Sequence, residues 1–184
     1  TALRLQQDPI HQHKDVLAHT IAVVGRCRAD RILRLAALFH DVGKPDTRSF
    51  GPEGVAFHHH EVVGARLTRH RLRELRYPKE EIEQVSGLVY LHLRPHTLKM
   101  GWTDRAVRRY VRDAGPLLER LNLLVRADVT TRDPKKARTV ERRIDELEER
   151  IAVLREQEEL DSIRPPIDGH AVMTFLGIKP GPLV

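Results

Sequence analysis

Cysteine is almost absent from this chain of 184 residues, which contains only Cys27. A single thiol excludes an internal disulfide, and its position in an amphipathic stretch predicts a buried, reduced side chain. Aromatic residues are also scarce, at 4 % of the sequence, whereas charged residues make up 32 %. Because Leu, Ala, Arg and Glu dominate, the composition favours helices over strands, and we predict an all-α protein.

Long hydrophobic runs are missing as well. The sequence has no stretch of about 18 apolar residues, and it does not start with a basic segment followed by an apolar one. We therefore expect no membrane partner and a cytoplasmic location. The hydrophobic fraction of 40 % is nevertheless sufficient for a core in a chain of this length.

Positive charge is concentrated in one part of the chain, within a net charge of +6. Residues 99–143 contain thirteen Lys and Arg against six Asp and Glu. This local excess of positive charge attracts polyanions in a salt-dependent way. A solvated, Arg-rich helical surface explains the same pattern equally well, so charge alone leaves both interpretations open.

Helical periodicity predicts a bundle followed by an extension. The helices are predicted over 11–27, from Asp30 to His40, over 60–77, from Pro78 onward, from Thr103 to Gly115 and from Pro116 toward Pro134, with a polar loop at 45–54. Apolar residues then recur at intervals of three and four from Ala137 to Leu154. This stripe favours packing on its own domain over a homodimeric coiled coil, although a homodimer stays possible. We place the domain boundary at 134/135, and the lack of a stop signal at the end predicts a chain cut inside a longer protein.

The dipeptide His40-Asp41 is the strongest functional signal in the sequence. An imidazole beside a carboxylate at the end of an apolar helix suits two ligands of one divalent metal ion. The alternative is a helix-terminal His bonded to a carbonyl, next to a solvated acid. The residues around the pair, including Gly43 and Lys44, favour the metal site.

Three further polar residues fall on the inward faces of predicted helices. His19 lies between Val16 and Val23, His92 continues an apolar series, and Asp128 occupies the next inward position after Leu124 and Val125. A buried carboxylate needs a cation, which for Asp128 is a metal ion or a nearby Arg126 or Arg132. Two imidazoles and two carboxylates suit Mn²⁺, Mg²⁺, Ni²⁺, Fe²⁺ or Zn²⁺, with open positions for water or substrate. The predicted metal ligands are His19, His40, Asp41 and Asp128.

This pattern resembles the HD superfamily of metal-dependent phosphohydrolases, which are helical. It is still more similar to the HD region of bacterial CCA-adding tRNA nucleotidyltransferases, in particular the actinobacterial type. The segments that carry the resemblance are 13–20, 35–45, 57–65, 106–110, 126–132 and 167–182. The resemblance implies an HD-domain helical bundle with a C-terminal helical extension: an HD phosphohydrolase domain at 1–134, then a long amphipathic helix and tail of a tRNA-binding body at 135–184.

The activity implied is metal-dependent hydrolysis of small phosphoesters, such as 2′,3′-cyclic phosphates or 2′-nucleotides. In this mechanism the metal activates a water molecule, Asp41 orients or deprotonates it, and Lys44 neutralises phosphoryl charge. His60 and His92 bind a second metal, contact phosphate or protonate the leaving group. His58, His59 and His96 are weaker candidates.

Nucleotide addition in such enzymes needs a head with a Gly-Ser loop and a paired acid-x-acid motif, a combination that this chain lacks. We therefore expect it not to add nucleotides itself. A role in RNA binding is expected instead, with tRNA or another RNA as partner. Two alternatives stay open: a non-catalytic tRNA-binding body with a structural HD site, and a free-standing HD nucleotide phosphohydrolase. The residues predicted to contact RNA are Arg105, Arg108, Arg109, Arg112, Arg132, Lys135 and Lys136.

Overall fold

The structure is a computed structural model, and it describes residues 2–5, 15–51, 54–97, 103–131, 133–162 and 173–175. Helices make up most of these ranges, so the prediction of a helical protein is confirmed. The α-helices are α1 Val16–Arg26, α2 Arg31–Phe39, α3 Lys44–Thr47, α4 His60–Glu74, α5 Lys79–Leu91, α6 Asp104–Ala114, α7 Leu118–Asp128 and α8 Pro134–Ser162. Short 3-10 turns occur at Arg94–Thr97 and Gly115–Leu117.

The segment 45–54, predicted to be a loop, contains regular structure instead. After α3, strand β1 (Arg48–Gly51) pairs antiparallel with strand β2 (Gly54–Phe57). The prediction was wrong because glycine and proline disfavour helix interiors but also suit the turn of a hairpin. Gly54, for example, has a φ of 108°, which other residues rarely adopt. The result is a small hairpin directly before α4.

Two predicted helix starts are confirmed by the capping geometry. The carboxylate of Asp30 accepts a hydrogen bond from the Leu33 N–H, and the Thr103 hydroxyl accepts one from the Ala106 N–H. The first helix begins at Val16, and residues 11–14 of the predicted helix lie outside the described part of the chain. Helix α4 ends at Glu74, shortly before Arg76 takes a positive φ of 57°.

The central helix of the bundle is α2, which packs against α1, α5 and α7. Leu33, Leu88 and Leu121 are almost completely buried between these helices. Cys27 is buried as expected, with its Sγ 3.3 Å from the Val23 carbonyl oxygen, and burial raises the pKa of the thiol. The packing brings other helices close to the C-terminal end of α2.

Helix α8 places its apolar stripe against the rest of its own chain. Ile144, Leu147, Ile151 and Leu154 are buried, and α8 contacts α6 and α7. A hydrogen-bond network also connects the three helices, from the Tyr110 hydroxyl to Asn122 to Glu148. Among the described helices, none is both long enough and apolar enough to cross a membrane.

Replacing Asp30 by Asn tests the ion pair between this cap and Arg120, whose Nε lies 2.9 Å from Asp30 Oδ2. Because Asn keeps the cap, we expect the free energy of unfolding of Asp30→Asn to fall by about 1 kcal/mol or less at pH 7. Asp30→Ala also loses the cap, so its free energy of unfolding should fall by about 1–2 kcal/mol. Burial raises the pKa of Asp30, but the Leu33 N–H and the Arg120 guanidinium outweigh it and lower the pKa below its ordinary value of 3.8.

Because the folded-state pKa is lowered, the stabilisation by the Asp30 carboxylate is present above the unfolded-state pKa and is lost as the pH falls through the folded-state pKa. Urea unfolding at pH 7 should therefore show a higher free energy of unfolding for the wild type than for Asp30→Asn. This difference should shrink below about pH 4. A difference that stays constant over this range would contradict the ion-pair contribution.

Candidate metal centre

Side chains from five helices, α2 among them, meet at the C-terminal end of α2. His40 and Asp41 directly follow α2, while His19 lies in the second turn of α1. The other members also come from helix ends: His60 begins α4, His92 follows α5, and Asp128 ends α7. The structure therefore brings together all six residues that the sequence predicts as ligands or catalytic histidines.

The first group within this cluster consists of His19, His40, Asp41 and Asp128. The Nε2 atom of His19 lies 2.8 Å from Asp128 Oδ1, 3.1 Å from His40 Nε2 and 3.5 Å from Asp41 Oδ2. His40 Nε2 lies 3.3 Å from Asp41 Oδ2 and 3.5 Å from Asp128 Oδ1. Metal–ligand bonds of about 2.0–2.2 Å place neighbouring ligand atoms roughly 3.0–3.5 Å apart. His19, His40 and Asp41 therefore have the spacing of ligands around one ion, and Asp128 lies against both imidazoles of this set.

A second group shares Asp41 with the first. It adds His60 and His92, whose ligand atoms and that of Asp41 all lie within 4.8 Å of one another. Asp41 Oδ1 is 3.4 Å from His60 Nε2, while Asp41 Oδ2 faces the first group. Asp41 is thus positioned between two sets of imidazoles, with one oxygen toward each.

Backbone carbonyls hold three of the histidine rings in place. In each case the Nδ1–H donates to the carbonyl oxygen of the residue three positions earlier, which leaves the lone pair of the neutral ring on Nε2. The bonds are His40 to Ala37 (2.7 Å), His60 to Phe57 (2.8 Å) and His92 to Val89 (2.6 Å). The fourth ring is held by a side chain, since His19 Nδ1 lies 2.8 Å from Thr130 Oγ1.

Two of these inward-facing nitrogens have no hydrogen-bond partner. His60 Nε2 and His92 Nε2 are both buried and unsatisfied. The 3.4 Å approach of His60 to Asp41 does not meet the geometry of a hydrogen bond, and both atoms are acceptors when the ring is neutral. Buried polar atoms without partners are rare in proteins. A cation between these lone pairs and Asp41 accounts for both, so the donor set fits a metal ion.

The electrostatics of the first group also require positive charge. Burial lowers the pKa of His40, but the carboxylates of Asp41 and Asp128 outweigh it and raise the pKa to about 10. Burial would raise the pKa of Asp41, yet the nearby His40 and Lys44 hold it well below its ordinary value. For His92, burial and the positive charge on His40 lower the pKa to about 4. Asp41 thus stays ionised and attracts a cation.

The turn after Asp41 is packed unusually tightly against α4. A Cβ atom added to Gly43 would lie 2.3 Å from the His60 carbonyl oxygen and 2.7 Å from the Gly64 nitrogen. Gly64 also serves close packing, since its Cβ would lie 3.3 Å from a Val89 methyl group. Lys44 follows in this turn, with its Nζ 2.7 Å from Asp41 Oδ2. Two glycines therefore fix the distance between Asp41 and His60.

Some candidates from the sequence lie elsewhere. Arg126, an alternative partner for Asp128, instead contacts Asp145 and Glu148 of α8, each at 2.7 Å. His58 and His59 are exposed in the turn before α4, and the side chain of His96 lies outside the described part of the chain. Sequence reasoning also gave no role to Thr130, although it lies only two residues after Asp128.

The predicted RNA-contacting residues lie on two surfaces. Arg105 and Arg109 are exposed on α6 and, with Arg94 and Thr103, line an open cavity of about 300 Å³. Arg108 is exposed but paired with Glu158 at 2.7 Å. The remaining described members are exposed, Arg112 on α6 and Lys135 and Lys136 at the start of α8, while Arg132 lies outside the described residues.

Comparison with known proteins agrees with this geometry. The HD domain family matches residues 16–133. The chain is 38 % identical, over 98 % of its length, to a CC-adding tRNA nucleotidyltransferase of Thermus thermophilus, and 34 % identical over 98 % to an A-adding tRNA nucleotidyltransferase of Deinococcus radiodurans. It spans 40 % and 42 % of these relatives, respectively. The predicted resemblance is confirmed, and the chain belongs to the HD-domain family.

Proposed function

We propose that this chain is the metal-dependent phosphohydrolase portion of a tRNA nucleotidyltransferase, with small phosphoesters such as 2′,3′-cyclic phosphates or 2′-nucleotides as substrates. The observation that carries the proposal is the convergence of four histidine Nε2 atoms on Asp41 and Asp128, two of them buried without a hydrogen-bond partner. We do not assign nucleotide addition to this chain, because its sequence lacks the combination of a Gly-Ser loop and a paired acid-x-acid motif.

His19, His40, Asp41 and Asp128 would hold a divalent ion, which supplies Lewis acidity toward a phosphoryl oxygen and a water molecule. Asp41 stays ionised, so it accepts a hydrogen bond from the attacking water and orients it. Lys44 Nζ lies beside the same carboxylate and donates to a phosphoryl oxygen, where negative charge develops.

His60 and His92 serve best as ligands for a second ion. Each uses its Nδ1–H on a backbone carbonyl, so the neutral ring presents only an acceptor to the site. An acceptor binds a cation but repels a phosphate oxygen. Asp41, His60 and His92 would then hold the second ion, which would add Lewis acidity toward the attacking and leaving oxygens of phosphoryl transfer.

Replacing His92 by Asn tests this assignment. After metal removal, we expect the wild-type chain to bind more than one equivalent of Mn²⁺ and to hydrolyse 2′,3′-cyclic AMP. The variant should lose one equivalent, and hydrolysis should fall roughly 10- to 100-fold. Calorimetric titration and product analysis measure the two effects.

The matched control is His70→Asn, the same substitution at an exposed His on α4 that pairs with Glu74. It should change neither metal binding nor hydrolysis. If His92→Asn binds as many equivalents as the wild type, the second-ion assignment is wrong. If the wild type binds metal but hydrolyses nothing, the non-catalytic scaffold explains the site instead. A free-standing nucleotide hydrolase is disfavoured by the similarity to tRNA nucleotidyltransferases over 98 % of the chain.

We also infer that α6 contributes to tRNA binding, which the similarity to tRNA nucleotidyltransferases and the Arg-lined cavity support. Replacing Arg105 and Arg109 by Ala should weaken tRNA binding and reduce its salt dependence by about two counterions. The double variant Arg66→Ala/Arg73→Ala removes equal charge from the exposed side of α4 and is the control. Filter binding at several salt concentrations measures the tRNA affinity of both variants and its salt dependence. Equal effects of the two variants would refute a specific role for α6.

A further inference from the structure

One face of the β1–β2 hairpin extends outward from the metal centre. Side chains alternate along a strand, so Arg48 and Phe50 lie on the same face. The pairing places Phe57 opposite Arg48 and Val55 opposite Phe50, which adds both to that face. Four residues, two of them aromatic, therefore form one continuous surface.

The outer end of this face is an exposed aromatic ring. Phe50 is 75 % exposed, and the guanidinium carbon of Arg48 lies 4.8 Å from the centre of its ring. Exposing a phenylalanine to water is unfavourable, and the stacked Arg48 adds a second planar group. Flat aromatic and guanidinium groups of this kind are the surfaces on which unpaired nucleobases stack.

The inner end of the face touches the metal centre. Lys44 Nζ lies 5.5 Å from the centre of the Phe57 ring and 2.7 Å from Asp41 Oδ2. The Phe57 carbonyl also accepts the hydrogen bond from His60. Since a strand rises about 3.3 Å per residue, Phe50 lies roughly 7 Å farther out than Arg48 and Phe57. A phosphate beside Lys44 and a base on Phe50 are thus separated by about the length of one nucleotide.

We propose that Arg48 and Phe50 form a base-binding subsite that stacks the nucleobase of a free mononucleotide whose phosphate lies beside Lys44 and Asp41. This rests on the proposed function for the position of the phosphate, and it narrows the substrate class to nucleoside phosphates over sugar or alkyl phosphates. Stacking uses the face of the base and not its edge, so the subsite accepts purines and pyrimidines alike.

Binding of two phosphonates that resist hydrolysis tests the subsite separately from catalysis. One is the phosphonate analogue of adenosine 2′-monophosphate, and the other is methylphosphonate, which lacks the base. With Mn²⁺ present, calorimetry should show that Phe50→Ala weakens binding of the nucleoside phosphonate roughly 5- to 150-fold, as expected for the loss of one base–aromatic stack, and leaves methylphosphonate binding unchanged.

Two further variants show whether the effect of Phe50→Ala comes from lost stacking or from a folding defect. Phe50→Trp keeps a stacking surface, so it should retain affinity, and its fluorescence should be quenched by the nucleoside phosphonate. Phe175→Ala is the same substitution at another exposed phenylalanine and should have no effect. The proposal is overturned if Phe50→Ala binds the nucleoside phosphonate like the wild type, or if it weakens both probes equally.

Two other results distinguish the base-binding subsite from RNA 3′-end binding and from the hydrolase proposal. If Phe50→Ala weakens binding only of RNA 3′ ends and not of the free nucleoside phosphonate, the mononucleotide subsite is also overturned. If the wild-type chain fails to hydrolyse any phosphoester but shows the Phe50 effect, the hydrolase proposal fails and the base-binding subsite stands.

Discussion

Replacing Asp41 by Asn is expected to remove metal binding from both groups of the cluster at once. Asp41 is the residue whose two carboxylate oxygens face different sets of histidines, with Oδ2 toward His19 and His40 and Oδ1 toward His60. The amide keeps the shape of the side chain but loses the charge and one acceptor oxygen. We expect Mn²⁺ binding to become too weak to titrate and hydrolysis of 2′,3′-cyclic AMP to fall more than about 100-fold.

The control for this variant is Asp46→Asn, the same change at an exposed aspartate on α3. It should bind Mn²⁺ and turn over substrate like the wild type. Far-UV circular dichroism of both variants shows whether the helices are intact. A well-folded Asp41→Asn protein that still binds Mn²⁺ at wild-type stoichiometry would contradict the assignment of Asp41 as the bridging ligand.

Replacing Gly43 by Ala should damage the same centre without touching a ligand. The added Cβ would overlap the backbone of His60 and Gly64, and backbone atoms cannot rotate away as a flexible side chain does. Helix α4 must then shift, which moves His60 away from Asp41. We expect a loss of about 3 kcal/mol in the free energy of unfolding, together with weaker binding of the second metal equivalent.

Gly25→Ala provides the comparison for Gly43. Gly25 lies within α1, and its Cβ would meet no atom within 4 Å. That substitution should therefore stabilise the protein by up to about 1 kcal/mol, through helix propensity alone. Chemical unfolding and Mn²⁺ titration of the two variants make the test. A Gly43→Ala protein as stable as the wild type would show that α4 does not depend on this close contact.

Helical register was enough to find most of the metal centre. His19 and His92 were assigned to inward faces from the spacing of valines and leucines, and both are buried in the structure. Asp128 follows the same rule at the end of α7, with its side chain still partly exposed. Register works here because a helix fixes which side chains point toward the core, whatever those side chains are.

Features that depend on contacts between distant segments were harder to predict. The β1–β2 hairpin is not predicted by the sequence because each strand has only four residues and includes a glycine at the turn. Gly43 could be read as the end of a helix, but its contact with α4 is visible only in three dimensions. Arg126 pairs with α8 instead of Asp128 because α8 presents two carboxylates to it.

The alternative interpretation of His40-Asp41 was half correct. His40 does bond to a backbone carbonyl, as a structural helix-terminal histidine would. Asp41, however, is only 2 % exposed, so it is not a solvated acid. The carbonyl bond is also what directs the opposite ring nitrogen toward Asp41, so one contact serves both packing and ligation.

The ligands of the centre are spread over residues 19 to 128, so the two proposed ions would together cross-link five helices. An unfolded chain has no comparable site, and ion binding therefore adds directly to the free energy of unfolding. At a free-ion concentration 100-fold above the dissociation constant, this thermodynamic linkage contributes about 2.7 kcal/mol. The concentration of free metal ion would then determine how much unfolded chain is open to proteolysis, whether or not substrate is present.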